Sequence, residues 1–150
     1  MNKLIIFTTI CLLISLNSIA QDTHKIDSLQ NQIKKYETYK QQLGQKDTSL
    51  MDSTKADLLT NIGLEYAGSE PMHAITYAKQ SFDLSVKIGY KKGMAYSYTV
   101  NASVNFNITD YLHSLEYYEK AREIYKEIGE HELEKEMNAK IDKVKAKLNK

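Results

Sequence analysis

The chain has 150 residues, a length that favours one domain over two. It is 42% hydrophobic and 26% charged with a single Pro, so neither the disordered nor the collagen-like class fits. Lys and Arg total 20 against 19 for Asp and Glu, a formal net charge of +1, so composition gives no indication of a nucleic-acid partner.

Residues 1–20 have the pattern of a secretory signal peptide. Lys3 supplies a basic start, an apolar run covers Leu4 to Ile14, and small residues flank Ile19 in Ser18-Ile19-Ala20. We expect cleavage near Ala20–Gln21, export to the periplasm or the medium, and no membrane insertion of the mature chain. The alternative is an uncleaved anchor, since the segment nearly reaches the length of a membrane span. Cleavage would also remove Cys11, the only Cys, so no disulfide would constrain the mature domain.

Residues 21–53 are predicted to form an amphipathic helix and a linker. Apolar residues recur at spacings of three and four between Thr23 and Leu43, and Gly44 follows. The stripe consists of Ile26, Leu29, Ile33, Tyr36 and Leu43. It is interpreted as a cap that packs on the following helices. The alternative is a coiled-coil seam that would make the protein a homodimer.

Residues 54–130 predict two pairs of helices. Helix Lys55–Ala67 is followed by a longer helix over Glu70–Gly89, and each ends at a Gly. In the second pair, Tyr96 to Ile108 alternate apolar and polar residues, which alone would favour a β-strand. Thirteen residues is long for a strand and no partner strand is evident, so a helix is predicted. Glu130–Lys150 then predicts a closing helix with a charged outer face.

The two longer helices are copies of one another at an offset of forty residues. Glu70–Gly89 and Asp110–Gly129 align with His73 on His113, Tyr77 on Tyr117 and Ile88-Gly89 on Ile128-Gly129. A repeat of this length indicates one supersecondary unit that stacks on its neighbours.

The repeat resembles the tetratricopeptide family. In the first unit the matching residues are Leu59, Ile62, Gly63, Tyr66, Ala74, Ala78 and Ser81; in the second they are Tyr98, Ala102, Tyr111, Ser114, Tyr118 and Ala121. The family period is about 34 residues, and the segment Lys87–Gly93 resembles the longer units of exported Bacteroidetes-type proteins. The resemblance implies an all-α domain at 54–150 that stacks antiparallel helix-turn-helix repeats as a short right-handed solenoid. Repeat 1 would cover 54–93, repeat 2 would cover 94–130, and a capping helix would cover 131–148.

The resemblance also implies a function, which is binding of another protein or a peptide on the concave surface lined by the first helix of each repeat. Placing the sequence on that pattern assigns to the groove Thr60, Leu64, Tyr96, Thr99, Ser103 and Phe106. These residues are aromatic, apolar or hydroxylic, so a partner with a free acidic C-terminus is not indicated. Alternatives are a self-associating helical scaffold and a shortened sensor ectodomain of a signalling system.

The sequence offers little for catalysis, and neither a cofactor nor a metal is predicted. His73 and His113 occupy equivalent repeat positions that usually face solvent. His131-Glu132 begins like a zinc-protease helix, but Lys135 stands where the second His would have to fall. The chain is therefore predicted not to be an enzyme.

Overall fold

The computed structural model describes residues 23–42 and 49–149, which form six α-helices and contain no strand. The helices are α1 (23–42), α2 (Ser49–Tyr66), α3 (Pro71–Ile88), α4 (Lys91–Asn107), α5 (Tyr111–Glu127) and α6 (His131–Leu148). The predicted all-α class is confirmed. The predicted signal peptide and its predicted cleavage site, together with Leu43 and Gly44, lie outside the described residues.

The helices form two layers. Each of α2 to α6 packs against its neighbour in the chain, and α2 also packs against α4. Turns of two to four residues join these helices, so consecutive helices run antiparallel. One layer contains α2, α4 and α6, and the other contains α1, α3 and α5. We call the two ends of the bundle the α2–α3 end and the α3–α4 end, after the turns they carry.

Polar contacts fix which helix termini share an end. At the α2–α3 end, the side-chain amide of Asn107 donates to the carbonyl oxygen of Ala67 over 3.0 Å, which joins the last turns of α4 and α2. At the α3–α4 end, Nζ of Lys92 lies 2.8 Å from a carboxylate oxygen of Glu130, which joins the starts of α4 and α6.

Helix α1 lies antiparallel to α2 and also contacts α3. Lys25 pairs with Glu65 at 2.5 Å, and the hydroxyl of Tyr36 donates to Asp52 near the other end of α2. The amide of Gln30 donates to the hydroxyl of Tyr77 on α3 over 3.0 Å. Ile26 and Tyr36 are buried in these contacts, so the apolar stripe of α1 packs within a single copy of the chain.

Helix α2 begins earlier than its sequence indicates. The sequence predicts a helix from Lys55, whereas the helix already runs from Ser49. Asp52 explains the extension, because this buried carboxylate in the first turn accepts hydrogen bonds from Tyr36 and Lys40 of α1. Tertiary contacts with α1 therefore extend the helix beyond the start that the local sequence pattern indicates.

The forty-residue repeat is visible in the burial of α3 and α5. The buried residues of α3 are Ala74, Ala78, Ser81 and Ser85, and those of α5 are Ser114, Tyr118, Ala121 and Tyr125. Every member of the first set therefore has a buried counterpart forty positions later. The two units use the same helix face, although tyrosine replaces a small residue at two of the four positions.

The turns at the α3–α4 end repeat in the same way. Gly89 and Gly129 both take the left-handed conformation, with φ of 69° and 75°, which glycine adopts without a steric penalty. In the α4–α5 turn at the opposite end, Thr109 takes the left-handed region with φ of 65°. A β-branched residue is strained there, so this turn stores a small conformational cost.

Helix α4 is the segment whose alternating pattern suggested a strand, and the predicted helix is confirmed. The polar side chains at every second position form hydrogen bonds within the helix. Each donates to the carbonyl oxygen four residues earlier, over 2.8–3.2 Å. The five residues are Ser97, Thr99, Asn101, Ser103 and Asn105. These bonds satisfy polar groups in a helix that other helices surround on several sides.

Candidate partner-binding surface

The six residues predicted to line a groove belong to α2 and α4, and α6 lies beside them. Met137 of α6 reaches α4, where its sulfur lies 3.6 Å from the hydroxyl of Thr99. We call the outer side of this layer the α2–α4–α6 face. Leu64 is 37% exposed, and Tyr96, Ser103 and Phe106 are half-buried along the same layer.

Thr60 and Thr99 do not present their side chains on this face. Both are buried, at 1% and 5% exposure. Thr60 donates to the carbonyl oxygen of Ala56 and shares a 2.8 Å hydrogen bond with Ser81 of α3, while Thr99 lies beneath Met137. The expectation that these two threonines line an open groove is therefore corrected, because neighbouring helices cover both side chains and both hydroxyls are hydrogen-bonded in the interior.

Tyr96 lies near the α3–α4 end of this face. Its ring meets the ring of Tyr125 edge-on at 5.8 Å, and Nζ of Lys92 lies 5.9 Å from the ring centre. Burial raises the pKa of the Tyr96 hydroxyl, so this group stays a neutral donor at any physiological pH. The side chain thus combines a supported ring with a polar tip, which is the character of an interface anchor.

Phe106 and Ser103 lie nearer the α2–α3 end. The ring of Phe106 meets the edge of Tyr111 at 5.5 Å, and Nζ of Lys143 stands 4.8 Å from its centre. The hydroxyl of Ser103 lies 3.1 Å from the hydroxyl of Tyr118, and Nζ of Lys140 lies 5.7 Å from the Tyr118 ring. The aromatic groups of this region therefore sit beneath lysine side chains of α6.

Lys140 and Lys143 are the surface residues that the sequence did not assign to this face. The sequence analysis predicts only a charged outer side for α6, although the spacing of three residues between the two lysines is typical of a shared helix face. The sequence does not predict how α6 is rotated about its axis relative to α4, and this rotation decides which face of the bundle the two lysines join. Lys140 pairs with Glu136 at 3.3 Å and Lys92 of α4 pairs with Glu130 at 2.8 Å, whereas Lys143 stands exposed over Phe106.

A half-buried carboxylate lies beside this face where α2 meets the α3–α4 turn. The hydroxyl of Tyr90 lies 3.1 and 3.2 Å from the two carboxylate oxygens of Asp57 and donates to them. Burial raises the pKa of Asp57, and the Tyr90 hydrogen bond opposes that shift. This pair connects the turn to α2 and places a half-buried carboxylate close to Lys92.

The histidines predicted to face solvent are exposed. Nδ1 of His73 lies 2.8 Å from Glu70, and Nδ1 of His113 lies 2.7 Å from Asp110, so each pairs with the residue that precedes its helix. Within residues 23–42 and 49–149, no group of three or more His, Cys, Asp or Glu side chains is arranged to hold a metal ion.

Comparison with known proteins gives no match: no family model, no curated protein and no solved structure is similar to the chain at a significant level. In the part of the chain that the structure describes, no helix is both long enough and apolar enough to cross a bilayer.

Proposed function

We propose that this chain is an exported protein of the tetratricopeptide type that binds another protein or a peptide on its α2–α4–α6 face and catalyses no reaction. The observation that carries the proposal is the row of Leu64, Tyr96 and Phe106, three large apolar side chains partly exposed along one layer of helices. Interface anchors are typically such aromatic groups, held in place by neighbours and reachable from solvent.

The repeat supports the family part of this proposal. Buried positions of α3 recur forty residues later in α5, and the left-handed glycines at the α3–α4 end recur at the same offset. Helices α1 and α6 then supply the additional surface that two repeats need, since a short stack cannot bury its apolar faces alone.

Lys143 supports a partner with acidic and apolar residues. It is exposed and its Nζ stands 4.8 Å from the centre of the Phe106 ring, whereas Lys140, over the Tyr118 ring, is paired with Glu136 at 3.3 Å. A segment that places an apolar side chain against Phe106 could place a carboxylate near Lys143. Charge of this kind raises the association rate and sets orientation, while the apolar anchors supply the affinity.

Self-association through α1 has less support than partner binding. The stripe that would form the seam includes Ile26 and Tyr36, and both are buried at 7% and 8% exposure against α2 and α3 of the same chain. No other observation favours the scaffold or the sensor alternative.

The test is site-specific photocrosslinking in the native host, with a benzophenone side chain at position 96 or 106 and a control at Phe82. Phe82 is also a half-buried aromatic residue, but it lies on α3, where its ring contacts Tyr98 at 5.3 Å. We expect one adduct from positions 96 and 106 and none from position 82.

The captured partner is then tested against Tyr96→Ala combined with Phe106→Ala, with Phe82→Ala as the matched loss of one ring. The double variant should weaken binding at least tenfold while circular dichroism stays helical, and Phe82→Ala should bind normally. Binding that survives the double variant would refute the assignment of this face.

A further inference from the structure

The α6 side of the α2–α4–α6 face carries a row of charged residues in a fixed order. Lys143 stands over Phe106 of α4, and residues three or four positions apart on a helix lie on the same side. The row that this spacing defines, which we call the α6 charge row, consists of Glu132, Glu136, Lys140, Lys143 and Lys147. Because α6 begins at the α3–α4 end, the glutamates lie nearer that end and the lysines follow toward the α2–α3 end.

Only the middle of the α6 charge row is neutralised within the chain. Lys140 pairs with Glu136 at 3.3 Å. The other three members, Glu132, Lys143 and Lys147, are exposed and make no ion pair with any residue that the structure describes. The row therefore presents one carboxylate toward the α3–α4 end and two ammonium groups toward the α2–α3 end.

The opposite side of the face, formed by α2, has a matching polarity. Asp57 places a half-buried carboxylate beside Tyr90 of the α3–α4 turn. Toward the other end of α2, Leu64 is exposed, and the neighbouring Glu65 is paired with Lys25 of α1 at 2.5 Å. Acidic groups thus lie on both sides of the face toward the α3–α4 end, and α2 adds no unpaired acid near Lys143.

The remaining charges near the face do not reverse this polarity. Lys92 of α4 pairs with Glu130 at 2.8 Å, so these two residues add no net charge. Lys135 and Asp142 of α6 are exposed, but they lie roughly a third of a turn around the helix from the α6 charge row, on the flank away from α4. The face itself therefore has an acidic end and a basic end.

This order of charges matches an incoming helix in one direction. Aligned peptide dipoles favour acidic residues in the first turn of a helix and basic residues in the last, and α6 itself has Glu132 and Lys147 at these places. A partner helix with the same order meets opposite charges on the face only when its first turn lies at the α2–α3 end. That direction is antiparallel to α4 and α6.

The apolar anchors set the length of the partner segment. Tyr96 and Phe106 are ten residues apart on α4, so about 15 Å separates them along the helix axis. On a second helix, two residues eleven positions apart span about the same distance and face the same side. A helix of about 15 residues therefore covers both anchors and meets the charges at both ends. An extended segment has no helix dipole to favour this order of charges.

We propose that the α2–α4–α6 face receives an amphipathic helix of the partner protein, antiparallel to α4, with its acidic first turn at Lys143 and Lys147 and its basic last turn at Glu132. This inference rests on the proposed function and adds to it the kind of segment that is bound and its direction.

The test uses a phage-displayed library of random peptides of about four helical turns, selected on the full chain. Enriched sequences should carry Asp or Glu in the first turn, Lys or Arg in the last turn, and apolar residues about eleven positions apart. Glu132→Lys with Lys143→Glu should select the reverse order of charges. The matched control, Lys135→Glu with Asp142→Lys, exchanges the same charges on the other flank of α6 and should select the same order as the parent.

The direction is measured by NMR on one selected peptide that carries a nitroxide at either terminus. The label at the N-terminus should broaden the amide signals of Lys143 and Lys147 several-fold more than that of Glu132, and the label at the C-terminus should do the opposite. A proline at the centre of the peptide should weaken binding at least tenfold, because it interrupts a helix. The opposite broadening pattern, or binding that tolerates the proline, would overturn the inference.

Tyr96→Ala combined with Phe106→Ala separates this inference from the proposed function. Peptides that need both rings but have no order of charges would overturn the inference alone and leave the partner-binding face in place. Peptides that bind the double variant as tightly as the parent would overturn both. If no sequence is enriched, or if sedimentation shows a dimer that Glu132→Lys with Lys143→Glu dissociates, the inference is overturned, and crosslinking in the host still decides the proposed function.

Discussion

Gly93 tests how closely α3, α4 and the turn between them are packed. It is buried in the first turn of α4, and a Cβ atom at this position would lie 2.3 Å from Oγ of Ser85 and 2.5 Å from Cδ1 of Tyr90. Neither distance is tolerable, so Gly93→Ala must displace both side chains. Displacing Tyr90 also breaks its hydrogen bonds to the half-buried carboxylate of Asp57.

The magnitude follows from three opposing effects. Alanine stabilises a helix by about 1 kcal/mol relative to glycine. Overpacking of a buried site costs about 1–3 kcal/mol, and a half-buried carboxylate that loses its donor adds about 1–2 kcal/mol. Gly93→Ala should therefore lower the free energy of unfolding by about 2 kcal/mol, which is a thermal midpoint lower by roughly 6–10 °C.

Urea denaturation followed by far-ultraviolet circular dichroism measures this change. Gly68→Ala is the matched control, because a Cβ atom there meets only the amide nitrogen of Asn107 at 3.7 Å, an ordinary contact. Gly68→Ala should leave stability unchanged or slightly higher. A Gly93→Ala protein as stable as the parent would refute the packing argument.

Ser85→Ala separates the two clashes at Gly93. The Ser85 hydroxyl is buried without a hydrogen-bond partner among the described residues, so its removal should be neutral or stabilising by up to about 1 kcal/mol. In the double variant the new Cβ atom no longer meets Oγ, and part of the loss should be recovered. Strictly additive effects would show that Tyr90 alone opposes the alanine.

Two further predictions concern the α4–α5 turn. Thr109→Asn should raise the free energy of unfolding by about 0.5–1 kcal/mol, because asparagine tolerates the left-handed φ of 65° better than threonine. Ser69→Asn is the control: Ser69 is not left-handed, so this change should not raise the midpoint of a thermal melt. Asp110→Ala should lower the thermal midpoint at pH 7, since Asp110 accepts a hydrogen bond from the backbone N–H of His113 and pairs with its ring. The bonds from His113 lower the pKa of Asp110, so this stabilisation is complete above the unfolded pKa and is lost as pH falls through the folded one. The loss in thermal midpoint caused by Asp110→Ala should therefore become smaller in strong acid. Glu70→Ala is the control and should lower the thermal midpoint less at pH 7, because Glu70 makes no capping hydrogen bond. A loss that is the same at every pH would contradict the charge argument.

Helix type and position were predictable because the informative signals are local. Glycines at helix ends, the apolar spacing and the forty-residue repeat all lie in the sequence, and α3, α5 and α6 match them within a few residues. The start of α2 was missed because it depends on Asp52 meeting Tyr36 of α1, a contact between distant segments. Such contacts leave no trace in local propensity.

The candidate surface was predictable only in part. Tyr96 and Phe106 were assigned to the face and are partly exposed there, whereas Thr60 and Thr99 are buried. A repeat pattern gives the side of the helix on which a residue lies, but not how far the next helix covers it. The burial of Thr99 depends on Met137, and the position of Lys143 over Phe106 depends on the rotation of α6.

The self-bonded polar row of α4 has a consequence for how this domain can change over evolutionary time. Each of these side chains has an acceptor within its own helix, so none of them depends on another helix for one, although Thr99 also contacts Met137 of α6 and Ser103 also contacts Tyr118 of α5. The neighbouring helices can therefore exchange side chains without stranding a polar group at the centre. A protein whose central helix satisfies its own polar side chains can vary its outer surfaces, and hence its partners, while the centre of the fold is unchanged.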